Sequence, residues 1–133
     1  MKSVKGSITV ESAYIIPTIF IIVMMIVYTV FYYHDKNILI GAALETAVVG
    51  AQVERREDDV VDVSLEDFFI QRINGKLILY SMPSVTVEKG DTQVVVQVVA
   101  SRRRMKIQVE EKADVLRPEK RIRLLKRMET IIL

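Results

Sequence analysis

The residues from Lys5 to Tyr33, KGSITVESAYIIPTIFIIVMMIVYTVFYY, decide how the rest of the chain is read. Within them, Ser12 to Tyr33 are 22 consecutive residues without a charged side chain. At about 1.5 Å per residue, a helix of that length crosses a hydrocarbon core of roughly 30 Å. Glu11 stands immediately at its start. An ionised carboxylate in or beside hydrocarbon costs on the order of several kcal/mol unless it is paired, so this acid requires a partner. The tract is too long for a removable secretory signal, and bulky Tyr32, Tyr33 and His34 follow it where such a signal would end in small residues.

The flanks set the orientation. Lys2 and Lys5 precede the span, whereas Asp35 and Lys36 cancel just after it. The excess of positive charge before the span predicts a cytoplasmic N-terminus, with everything after Tyr33 on the outer side.

Gly6 and Ser7 lie five and four residues before Glu11, at the end of a short basic leader. This arrangement resembles the processing site of type IV prepilins. The wider stretch GSITVESAYIIPTIF, with Pro17 six residues after Glu11, resembles the TadE-like pseudopilins of tight-adherence (type IVc) systems. Ser12 stands where the major pilins of those systems usually carry an aromatic, which separates the chain from them.

The resemblance implies that a prepilin peptidase cuts after Gly6, that Ser7 becomes the N-terminus, and that Glu11 pairs with such an amine during assembly. An amine of pKa about 8 is cationic at neutral pH, and pairing it inside a helical bundle offsets both desolvation penalties. The implied partners are the peptidase, other pilin-like subunits, membrane lipid and, indirectly, an assembly ATPase and platform proteins. Two readings of another class stay open at this level. One is an uncleaved signal-anchored adaptor with Glu11 at the headgroups. The other is a membrane-tethered module whose basic surface binds DNA or an anionic wall polymer.

With 133 residues, the chain has room for this helix and one small extracytoplasmic domain. The formal charge is +2, but removing a leader that holds Lys2 and Lys5 leaves 17 basic side chains against 17 acidic ones. Overall charge therefore argues against nucleic acid as a partner. Cysteine is absent and His34 is the only histidine, so no nucleophile or metal-ligand arrangement can be assembled from the sequence. The chain reads as a non-enzyme with no cofactor and no metal.

Pro17 cannot donate to the carbonyl of Ala13, which predicts a kink or a loosened turn inside the span. Helical periodicity then continues past the membrane, so one helix is expected from about Ser7 to about Arg56. Ala43, Ala47 and Ala51 form a stripe of small residues on it, suited to close packing against helices of a filament or against the protein's own sheet. From Glu54 to Asp67 the composition turns acidic, without the alternating ligands and central glycine of a calcium loop. Ser64 is placed to cap a short helix from Leu65 to Ile73 that ends at Asn74 and Gly75, with Phe68, Phe69 and Ile73 inward.

Strands are expected at 76–80, 84–88 and 92–101, the last with Val94, Val96 and Val98 on one face and Gln93 and Gln97 on the other. The next apolar set, Met105, Ile107 and Val109, has the opposite parity, so the chain must turn or bulge at Arg102, Arg103 and Arg104. Pro118 opens a terminal helix with Ile122, Leu125, Met128 and Ile132 on one side. Arg102, Arg103, Arg104, Arg121, Lys126 and Arg127 could form a surface for an anionic partner or simply a solvated face.

The expected fold is α+β: a long N-terminal helix packed on a small antiparallel sheet of three or four strands, with a C-terminal helix. The expected divisions are a leader at 1–6, a membrane part of the helix at 7–33, its outer half at 34–56 and a small domain at 57–133.

Overall fold

A computed structural model describes residues 4–56 and 64–132 of the protein. Helix α1 runs over Val4–Arg55, 52 residues or about 78 Å. A short helix α2 follows at Leu65–Ile73, then strands β1 (Ser84–Lys89), β2 (Gln93–Arg102) and β3 (Met105–Asp114), and helix α3 (Pro118–Ile132). The three strands form one antiparallel sheet in the order β1-β2-β3. This is the α+β arrangement expected, with three strands. The first residues of the leader and residues 57–63 of the acidic stretch lie outside the described residues.

One face of the outer half of α1 makes the core. Asp35, Leu39, Ala42, Ala43, Thr46, Ala47 and Ala51 are buried, at the three- and four-residue spacing that places side chains on one stripe. The sheet supplies the other side of that core through Val96, Val98, Ala100, Ile107 and Val109, and α2 through Phe69 and Ile73. Because most of the helix positions are small, the sheet and α2 approach α1 closely. At Gly50 an added Cβ would stand 2.9 Å from Leu65 Cδ1 and 3.0 Å from Val94 Cγ1, so α1, α2 and β2 meet there with no room for a side chain.

Helix α2 starts and stops as its sequence dictates. Ser64 Oγ accepts the Asp67 amide at 3.3 Å, and Glu66 and Asp67 occupy the first turn, where negative charge suits the helix dipole. Asn74 donates its amide to the Ile70 carbonyl, and Gly75 takes φ of 71°, which ends the helix. Across the surface, Arg72 Nε donates to Glu45 Oε2 at 2.6 Å, an exposed pair tying α2 to α1. Such pairs contribute about 0–1 kcal/mol.

The change of parity between β2 and β3 resolves into a two-residue hairpin turn. Arg102 pairs with Met105, Ala100 with Ile107 and Val98 with Val109. With that register every inward residue of β2 faces an inward residue of opposite parity on β3, so no bulge is needed. Arg103 sits at φ of 53°, the left-handed region that glycine normally fills. Holding a non-glycine residue there costs on the order of 1 kcal/mol.

One expectation is corrected. Residues 76–80 form no strand: they bend at Ile78 and Leu79 on the way to β1. Successive amides of a strand point in opposite directions, whereas those of Ile78, Leu79 and Tyr80 converge on one acceptor, the Asp35 carboxylate. Helix α3 leaves its apolar side uncovered by the other described elements. Ile122, Leu125 and Met128 are exposed, and α3 packs on no other described element.

Candidate functional site

The site lies along α1, and the fold divides that helix in two. Every residue from Ala13 to Phe31 is exposed, and the large apolar side chains among them present 36% to 76% of their surface. From Asp35 onward one face is buried under the domain. The first half is thus a bare apolar cylinder, long and apolar enough to cross a membrane, and the second half is the spine of a folded domain.

Gly6 and Ser7 lie in the helical backbone near its start, and the side chain of Ser7 is outside the described residues. Glu11 is exposed, about one turn further on. The helix continues through Pro17 without a break in its assignment. One residue later, Thr18 Oγ1 donates back to the Tyr14 carbonyl at 2.7 Å.

Ala43, Ala47 and Ala51 are all buried, the first two without any exposed surface. Ala43 and Ala47 contribute to the main core with Phe69 and Val96, and Ala51 packs with Val94 and Val115. In this conformation the stripe serves the protein's own sheet and short helix.

The six basic residues considered as one surface are not brought together by the sheet. Arg102, Arg103 and Arg104 stand at the β2–β3 turn. Helix α3, with Lys126 and Arg127 exposed, leaves from the opposite end of the sheet, where Asp114 pairs with Gln93. The side chain of Arg121 is outside the described residues. Among the described residues no group of three or more His, Cys, Asp or Glu side chains could hold a metal ion.

The residue that sequence reasoning passed over is Asp35. Its side chain has no exposed surface. Oδ1 accepts the Ile78 amide at 2.9 Å, and Oδ2 accepts those of Leu79 at 2.7 Å and Tyr80 at 3.0 Å. His34 Nδ1 lies 3.2 Å from Oδ1. Burial alone pushes the carboxyl pKa up, but the three amides and His34 together outweigh it, and the group titrates below its ordinary value. Tyr80, at the end of the same segment, is buried with its hydroxyl unpartnered among the described residues. Burial pushes that phenol up, with Tyr32, Tyr28 and Asp35 adding to the effect and Arg102 opposing it.

This clamp fixes the domain on the helix at the point where the bare half begins. A signal for it was present: Asp35 falls four residues before Leu39 on the stripe that includes Ala42, Ala43, Thr46 and Ala47. An acid on an otherwise apolar helix face demands donors from elsewhere in the chain.

No curated protein and no solved structure matches the chain. Residues 6–48, about a third of its length, match the family described as TadE-like protein. The match begins at Gly6, runs the length of the bare half and ends among the buried residues of the outer half. Over residues 6–48 the chain is similar to the TadE-like family.

Proposed function

We propose that the protein is a pilin-like structural subunit, made as a precursor and inserted through the bare half of α1 with its N-terminus in the cytoplasm. A prepilin peptidase cuts after Gly6, and the subunit is then drawn into a Tad-type filament or pseudopilus. Within the assembly the apolar cylinders pack together, and Glu11 sets the register by pairing with the Ser7 amine of a neighbouring subunit. The folded domain stays outside the membrane and travels with the helix. An assembly ATPase and platform proteins act on the subunit from the membrane side.

The observation that supports this most is the division of α1. An apolar half with an acid near its start is exposed throughout and meets the domain only at its outer end, around Tyr28, while the other half is committed to a core of its own. A simple anchor would not need an ionisable group in that position.

Co-expression of the full chain with the cognate peptidase tests the reading. Intact mass should fall by residues Met1 to Gly6, and Gly6→Leu should abolish the change. An unaltered mass in the presence of an active peptidase contradicts the proposal.

A further inference from the structure

The β2–β3 turn reaches down α1 to the outer end of the bare half, at Tyr28. Strand β2 begins beside Gly50, where Val94 packs, and ends where Tyr28 Oη meets Met105 Sδ at 3.4 Å. Its 10 residues cover about 33 Å. The interval from Gly50 back to Tyr28 on α1 covers about the same length, so the strand lies alongside the helix and antiparallel to it. At the turn, Tyr28, Leu79, Met105 and the three arginines enclose an open cleft of about 550 Å³.

We propose that this cleft is a binding site for the phosphate of an anionic lipid headgroup, held by Arg103 and Arg104 at the membrane surface. The proposal rests on the reading of α1 as a membrane helix.

Three observations carry it. Both arginines are exposed, and no ion pair among the described residues involves either of them. Arg102 is already engaged, with Nη1 donating to the Leu79 carbonyl at 2.5 Å, so it positions the turn against the clamped segment and leaves its two neighbours for a ligand. Arg103 occupies a backbone conformation that glycine would adopt without strain. A guanidinium at such a position is accounted for by what its side chain does, since the turn itself would be better served by glycine.

The location identifies the ligand. Guanidinium groups do not enter hydrocarbon, so the hydrocarbon boundary lies at or below the level of Tyr28. Counted back from there, a core of about 30 Å ends near Ile8. That places the Gly6–Ser7 bond at the opposite surface and Glu11 a few ångströms inside. Residues 28–33, which the sequence assigns to the span, then occupy about 9 Å of headgroup region, where Tyr28, Tyr32 and Tyr33 form the aromatic belt usual at an interface. A planar guanidinium pair at that depth meets phosphate oxygens, which it can bind in bidentate fashion.

The test uses the full chain in nanodiscs of phosphatidylcholine containing one part in four of phosphatidylglycerol, with retained lipids counted by native mass spectrometry. An arginine near an anionic surface favours association about fivefold, so the ratio of phosphatidylglycerol to phosphatidylcholine among the lipids retained by the wild type should be at least fivefold the bulk ratio. The variant Arg103→Gly with Arg104→Gln should fall close to the bulk ratio while keeping the wild-type circular dichroism, because glycine suits the turn. Added glycerol phosphate should not displace the lipid. Displacement by that soluble anion, or incorporation without lipid preference, overturns the inference and leaves the membrane reading intact. Failure of the chain to enter nanodiscs overturns both.

Discussion

Asp35 Oδ2 accepts the backbone amide of Leu79 at 2.7 Å, across 44 residues of sequence. With the neighbouring amides of Ile78 and Tyr80 on the same carboxylate, this single side chain closes the loop between the long helix and the sheet. The charge is fully buried, and it is tolerated because the backbone supplies the donors that water would otherwise provide.

Replacing that carboxylate should therefore be costly. Asp35→Ala leaves three amides without their acceptor, and each unsatisfied buried donor costs about 1–3 kcal/mol. We expect a loss of about 3 kcal/mol or more in urea unfolding of the full chain in detergent. Glu45→Ala, which removes an exposed pair, should cost about 1 kcal/mol or less. Equal, small effects from the two variants would show that the clamp does not hold the domain.

The clamp also sets an acid limit. The folded-state pKa of Asp35 lies below its ordinary 3.8, so the unfolded chain takes up the proton more readily. Its contribution to stability is complete above the unfolded value and is lost as pH falls through that value towards the folded one. Urea midpoints measured from pH 6 downward should decline on the acid side for the wild type and decline less for Asp35→Asn. Parallel curves for the two proteins would exclude Asp35 as the group responsible.

Tyr80 offers a prediction of the opposite sign. Its hydroxyl is buried without a partner among the described residues, so removing it relieves a desolvation penalty and leaves the ring in place. Tyr80→Phe should leave stability unchanged or raise it by about 1 kcal/mol in the same assay. A loss beyond about 1 kcal/mol would mean that the hydroxyl is hydrogen-bonded in solution.

For Glu11 the proposed role lies in assembly and not in recognition by the peptidase. Glu11→Ala should lose residues Met1 to Gly6 as the wild type does but be recovered in sheared surface filaments at a tenth or less of the wild-type amount. Wild-type recovery would remove the pairing role.

Much of this architecture was legible because local signals agreed with the global fold. The Ser64 cap and the Asn74-Gly75 stop bound α2 as read, and the alternation of Val94, Val96 and Val98 set the inward face of β2. The reversed parity of Ile107 and Val109 called for a turn or a bulge at the arginines, and the register shows the turn. The stretch at 76–80 misled because its apolar residues imitate a strand while its amides are bound by a side chain more than forty positions away, which no local pattern encodes. The role of Asp35 was hidden for a related reason: as a charge flanking a membrane span it looked like a topology signal, and only its place on the buried stripe distinguishes it.

The account depends above all on the creation of a new N-terminus beside Glu11. Intact-mass and N-terminal sequencing of the protein purified from membranes of its native cell tests this most directly. The prediction is a chain beginning at Ser7; a mature protein that still begins at Met1 would contradict it.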